Sequence, residues 1–176
     1  DAKRGDIGNT ASRYAKAMFE FWKAGAVTVY PNLGLDAVKP FLQYQNEMTI
    51  LLIKTSNPDS KVFQDLPVEG NPYYLAMANM ITSWDFPNLG IFVGATYPDE
   101  LKAVRSIFPE RLFLTAGIGA QGGNVEQVVK AGIDKNGAGL MINASRSSIY
   151  VSETKDFAEK AREAALKLKN QINQYR

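Results

Sequence analysis

Cysteine and histidine are both absent from the 176 residues. Without cysteine there is no disulfide framework, no thiolate zinc or iron–sulfur site and no thiol nucleophile. Without histidine there is no Ser-His-Asp triad, no imidazole metal ligand and no side chain that titrates near neutrality unaided. Acid–base chemistry therefore falls to Asp, Glu, Lys, Tyr or bound water. An excess of one charge is missing too, since 20 Lys and Arg stand against 18 Asp and Glu. The signs interleave, most visibly over 153–169, which suits a solvated helix face better than a phosphate-backbone footprint. Nucleic acid is not an expected partner. Long apolar runs are lacking as well: 50–53 and 89–95 fall far short of a bilayer span, and the opening residues are not a basic, apolar leader. The expected setting is the cytoplasm, away from membranes.

What is present is an ordinary globular composition, 45% hydrophobic with 14 Gly and 8 Pro, enough for a single domain over 1–176. Short β-branched runs at 27–30, 49–55, 90–95, 111–115 and 139–143 alternate with stretches of helical period at 10–24, 35–44, 72–83, 98–108 and 125–131. A final helix is expected over 154–174. The strand runs lack strict alternation, as strands buried on both faces of a parallel sheet do. Asn9 or Thr10 and Asn124 are placed to cap helix starts, and Gly25 and Gly132 to end helices. Phe157, Ala161, Ala164, Ala165, Leu168 and Ile172 form one stripe of the last helix, expected to pack in the core. The pattern reads as about six consecutive βα units, hence α/β with a parallel sheet, open or closed. A closed (β/α)8 TIM barrel takes eight units and about 250 residues. The chain opens abruptly on charged and glycine residues, so the expectation is a barrel lacking roughly its first two and a half units.

Three clusters carry possible chemistry. In Asp1-x-Lys3-x-x-Asp6, residues two apart on a strand share a face. Asp1 and Lys3 would project together at a strand end, with Asp6 on the loop beyond. Two unit charges about 4 Å apart interact by roughly 4 kcal/mol at an effective dielectric near 20, which keeps Lys3 an ammonium and a proton donor. A surface ion-pair patch is the alternative. The second cluster, Gly117-Ile118-Gly119-Ala120-Gln121-Gly122-Gly123, lies between a strand and a helix, where glycine lets backbone approach an anion at a helix N-terminus. It matches G-x-G-x-x-G, but the acid that a dinucleotide site wants at the next strand end is missing. A phosphate cradle fits better, and a turn without ligand is the third option. The third cluster is Asn143-Ala144-Ser145-Arg146, one unit later, where (β/α)8 barrels often bind phosphate and where Arg146 could grip it with two hydrogen bonds.

Together these residues resemble a family, the orotidine 5'-monophosphate decarboxylases, in their bacterial-type branch. The resemblance is carried by Asp1-Ala-Lys-Arg-Gly-Asp-Ile-Gly-Asn-Thr10, Gly34-Leu-Asp-Ala-Val-Lys-Pro-Phe41 and Lys54-Thr-Ser-Asn-Pro58. Phe92-Val-Gly-Ala-Thr-Tyr-Pro98, Gly117–Gly123 and Asn143–Tyr150 complete it. It covers essentially the whole chain, from the family's third strand onward. It implies that Lys3 protonates C6 of the pyrimidine as carbon dioxide leaves, within a charged network completed by Asp1 and Asp6. It implies a homodimer in which Asp6, with Ile7 and Thr10, reaches into the neighbouring subunit's site. Ser56 would read the pyrimidine amide edge. Gln121 and Arg146 would grip the phosphate, with Gly119, Gly122, Gly123 and Ser145 in the phosphate-binding loops. No metal and no organic cofactor is implied. The family's first two strands, with a second catalytic lysine and a ribose-contacting aspartate, have no counterpart in this sequence. Ala116 stands where the family usually has Pro, and Tyr30-Pro31-Asn32 where Asn-Pro-Tyr is usual. The remaining alternatives are a magnesium-dependent sugar-phosphate decarboxylase, with the acids as metal ligands, and a phosphate-binding fragment without catalysis.

Overall fold

The computed structural model describes residues 1–118 and 122–176. In chain order the first half runs α1 (Gly8–Lys16), β1 (Ala26–Val29), α2 (Leu35–Leu42), β2 (Met48–Lys54) and α3 (Ser60–Gln64). Two two-residue strands follow, β3 (Pro67–Val68) and β4 (Asn71–Pro72), then α4 (Tyr73–Ile81) and β5 (Leu89–Val93). The rest is α5 (Pro98–Ile107), β6 (Phe113–Ala116), α6 (Val125–Gly132), β7 (Leu140–Asn143), α7 (Arg146–Ile149) and α8 (Phe157–Gln174). The main sheet has the order β1-β2-β5-β6-β7, and every neighbouring pair is parallel. Arg4 adds a parallel bridge on the free side of β1: its amide donates to Thr28 O, and its carbonyl accepts from Tyr30 N. This is the βα arc expected of a (β/α)8 barrel.

Pleating divides the side chains between two clusters. Val27, Val29, Leu51, Ile53, Ile91, Val93 and Phe113 join the large core under the helices. Ile50, Leu52 and Phe92, with Tyr30, Met48, Leu114 and Ala116 against them, form a smaller cluster on the other face. Fully covering a Leu or Ile side chain stabilises by about 1.5–3 kcal/mol, so β2, buried over Thr49–Lys54, is the sheet's best-anchored strand.

Several expectations need correcting. The first helix begins at Gly8 and is flanked by Ile7, which offers no side-chain cap; Asn9 and Thr10 lie inside it. It passes into a π-helical turn over Ala17–Phe21 and is left through Lys23 at φ +53°, so Gly25 does not end it. Asn124 does cap α6, accepting from Gln127 N at 3.1 Å. The last helix starts three residues later than expected and is not buried. Phe157 is 58% exposed and no α8 residue is fully buried. A cavity lined by Ile142, Leu168 and Ile172 separates α8 from β7, so the stripe is covered from one side alone. The ribbon of β3 and β4 was not anticipated, although Glu69-Gly70, with φ of +50° and +82°, is the turn that joins it.

The sixth strand starts two residues later than expected because Arg105 claims the backbone there. Its guanidinium donates to Gly132 O (2.6 and 2.8 Å), Phe108 O (3.2 Å), Arg111 O (2.7 Å) and Gly139 O (2.8 Å), and lies 3.8 Å from the Phe113 ring centroid. Burial pushes its pKa down to about 10, still far above neutrality, so it stays charged and caps two helix C-termini at once. Arg105→Leu leaves four carbonyls without this donor. The expected loss is at least about 3 kcal/mol, read as a drop in the urea midpoint, and a loss under about 1 kcal/mol would refute the cage.

Candidate active site

In a parallel sheet every strand ends at the same edge, and the polar residues of this chain gather there. A cavity of about 380 Å³ is lined by residues that follow β1, β2, β6 and β7. Asp1, Lys3, Ser56, Ser145 and Arg146 all contribute to it, and Phe92 and Tyr30 bring up the edge of the smaller apolar cluster. Five of the residues singled out from sequence, drawn from three separate motifs, therefore share one chamber.

Lys3 and Asp1 meet, but not by strand pleating as expected. Residues 1–3 are not strand, and Lys3 sits at φ +47°, a conformation that costs a non-glycine residue about 1 kcal/mol or more. The pair is instead organised by Thr28, a buried residue of β1 that sequence reading passed over. Its hydroxyl accepts from Lys3 N at 3.0 Å and donates to Asp1 Oδ1 at 2.9 Å, while Lys3 Nζ bonds the other oxygen, Asp1 Oδ2. One threonine thus fixes both the backbone of the cation and the orientation of the anion. The Lys3 side chain remains 42% exposed and lines the cavity. A threonine flanked by Val27 and Val29 was the available signal: a lone hydroxyl on the inner face of a strand, aimed at the rim.

Asp6 stands apart. Its Oδ1 accepts from Ile7 N at 2.8 Å, and neither residue lines the cavity. Ile7 is 60% exposed and Thr10 lies on the exposed start of α1. These three form an outward-facing edge next to the chamber's first strand.

Ser56 is held by three elements. Thr96 Oγ1 donates to its carbonyl at 3.2 Å. Gly94, just past β5, passes so close that a Cβ there would lie 2.7 Å from Ser56 Cα. Glycine at 94 is thus a requirement of close approach, not of backbone angle. The adjacent Thr55 is bonded through its amide to Gln64 Oε1 at 2.9 Å.

On the opposite wall Arg146 opens α7 beside Ser145, both exposed, and no carboxylate pairs with Arg146 among the described residues. Gly119 and Gln121 lie outside the described residues. Gly122 takes φ +85°. Gly123 donates its N–H to Gly117 O at 3.2 Å, and a Cβ on it would come within 3.0 Å of Ala95 O and Gly117 O. It thus closes the turn against the ends of β5 and β6. Ala116, the departure from the usual proline, accepts from Ala95 N at 2.9 Å and keeps β6 in register to its end. No helix is long and apolar enough to cross a membrane, and no three His, Cys, Asp or Glu side chains converge as metal ligands, among the described residues.

Comparison with known proteins gives this geometry a lineage. The orotidine 5'-phosphate decarboxylase / HUMPS family matches residues 1–164. The chain is 47% identical, over its whole length, to the orotidine 5'-phosphate decarboxylase of Cupriavidus taiwanensis, and 48% identical to that of Azoarcus. It spans about two thirds of these relatives, 65% and 66% of their lengths. Among solved structures, the OMP decarboxylase of Leishmania donovani superposes with a TM-score of 0.84 at 34% identity, over 98% of this chain and 67% of that one. The enzyme of Methanocaldococcus jannaschii, solved with the inhibitor BMP, gives 0.77 at 25% identity over 97% and 71%. On the strength of these matches the chain belongs to the orotidine 5'-phosphate decarboxylase / HUMPS family.

Proposed function

We propose that this chain supplies the proton-donating and phosphate-binding walls of an orotidine 5'-monophosphate decarboxylase, a carbon–carbon lyase that forms UMP. The observation that carries this reading is the shared cavity, with a carboxylate-paired ammonium at one end and an unpaired guanidinium at the other. A nucleotide monophosphate has matching ends: a planar ring to be protonated and a dianion to be held. Arg146 and Gln121 grip the phosphate, with Ser145 and the glycines 119, 122 and 123 in the loops that bind it. Ser56 addresses the amide edge of the pyrimidine.

As the C6–carboxylate bond breaks, its electron pair stays on C6 and carbon dioxide departs. The developing carbanion lies against Lys3 Nζ, which transfers a proton to C6 and leaves UMP. An ammonium fixed before the reaction needs no reorganisation when charge appears, and this is how preorganised electrostatics lowers a barrier. Asp1, tied down by Thr28, keeps the ammonium in place. Phosphate binding, remote from C6, supplies binding energy to hold the ring there. Acting as a single domain in the cytoplasm, the protein needs neither metal nor organic cofactor.

The working unit in this reading is a homodimer. Asp6, Ile7 and Thr10 face outward from the rim, where they complete the charged network of a second copy's chamber.

In the gene-encoded protein, Lys3→Ala is expected to lower kcat by about 1,000-fold or more, followed as loss of orotidine 5'-monophosphate absorbance. A fall of less than tenfold would overturn the assignment. Co-refolding Lys3→Ala with Asp6→Ala protomers should restore about a quarter of native activity, because half the dimers then hold one intact site of two. No recovery would place Asp6 in its own chain's site. Prolonged treatment with EDTA is expected to leave the rate unchanged; magnesium-restored activity would instead favour the metal-dependent sugar-phosphate branch of the family.

A further inference from the structure

Lys54 has no part in that chemistry, yet its side chain is wholly buried. A bulge after Leu52 pairs Lys54 with Val93 and turns it away from the chamber, to the helix side of the sheet. There its ammonium bonds Asp65 and sits 5.0 Å from the ring centroid of Tyr97 and 5.4 Å from that of Tyr74. Removing an ammonium from water is unfavourable unless pairing compensates, and an apolar residue would fill this space without that penalty.

The partners show what the charge holds. Asp65 is the residue that closes α3, and Lys54 immediately precedes the rim loop, so one ion pair joins the two ends of residues 55–64. Within the segment Gln64 accepts from Thr55 N (2.9 Å) and donates to Thr55 Oγ1 (3.0 Å), and Thr55 Oγ1 donates to Asn57 Oδ1 (2.8 Å). Tyr97 serves twice, its ring facing the ammonium while its hydroxyl donates to Asn57 O at 3.2 Å. Ser56 sits in the middle of this set. Among the described residues Asp65 is the one anion bonded to the ammonium.

We infer that the ion pair between buried Lys54 and half-buried Asp65 is a latch that closes residues 55–64 and thereby positions Ser56 at the base end of the cavity. Lys54 is a positioning residue, acting through Ser56 on recognition of the ring and not on the phosphate. The inference rests on the nucleotide reading of Ser56 given above.

The test uses Lys54→Met and Asp65→Asn in the gene-encoded protein, with UMP and ribose 5-phosphate as probes. Amide exchange over 55–64 is expected to quicken about tenfold or more, with β5 and β6 unchanged. UMP affinity should fall about tenfold, ribose 5-phosphate affinity should stay within about twofold, and Ser56→Ala added to Lys54→Met should cost no further UMP affinity. Unchanged exchange in both variants, faster exchange throughout the protein, or equal loss of the two ligands would overturn the latch. If Lys54→Met does not fold, Asp65→Asn, which preserves volume, decides alone. Local exchange that quickens in a protein whose native form binds no UMP would uphold the latch and refute the nucleotide reading.

Discussion

A parallel sheet covered by helices on one face and by its own inward-turned side chains on the other leaves polar groups few outlets. They can surface where the strands stop. Because all five strands of the main sheet run the same way, those endings coincide, and residues distant in sequence arrive at one rim. Tyr30, Ser56 and Arg146 are neighbours around a chamber for this reason, and Asp1 joins them through Thr28. Everything chemical about the chain follows from that geometry. The apolar alternation of Leu51 and Ile53 against Ile50 and Leu52 sets how the rim is oriented, and the rim sets which side chains can meet.

Two lysines near this rim illustrate how burial assigns work. Both are bonded to an aspartate. Lys3 faces the chamber and keeps contact with water, so its ammonium can exchange a neighbour for a ligand. Lys54 is sealed beneath α3 and α4, between two aromatic rings, and has no route to a ligand. Its charge serves geometry. The bulge in β2 separates the two uses: one extra residue turns the side chain from the inner face to the outer.

The strand runs were legible as short β-branched apolar stretches and the long helices by their 3.6-residue period, local signals that survive tertiary packing. All five parallel strands lie within two residues of the stretches read from sequence. What was hidden depended on contacts between distant residues. Thr28 looked like a β-former, and its place between Asp1 and Lys3 exists because Arg4 bridges to β1. The start of β6 moved because Arg105 draws on the carbonyl of Arg111, an arrangement that no local propensity encodes. Asn124 was read correctly, since a cap is a local interaction; Asn9 was not, because Gly8, at φ +52°, enters the helix before it. The apolar stripe of α8 had the right spacing, but spacing describes one partner of a contact. How far Leu168 and Ile172 are covered depends on the space left beside β7. At the site, charge patterns picked out residues that line one chamber. They did not reveal that Gly123 turns its amide inward, or that Gly94 leaves room for Ser56.

The Arg105 cage has an implication for how this fold tolerates recombination. One guanidinium is shared by backbone from the end of α5, the entry to β6, the last turn of α6 and the entry to β7. Segments that seem modular as βα units are thus joined on the side away from the chamber. Because every acceptor is a backbone carbonyl, a unit swapped in from a homologue keeps the cage only if it sets those carbonyls at the same positions around Arg105. The position of one side chain in α5 thus constrains where three later stretches of backbone can lie.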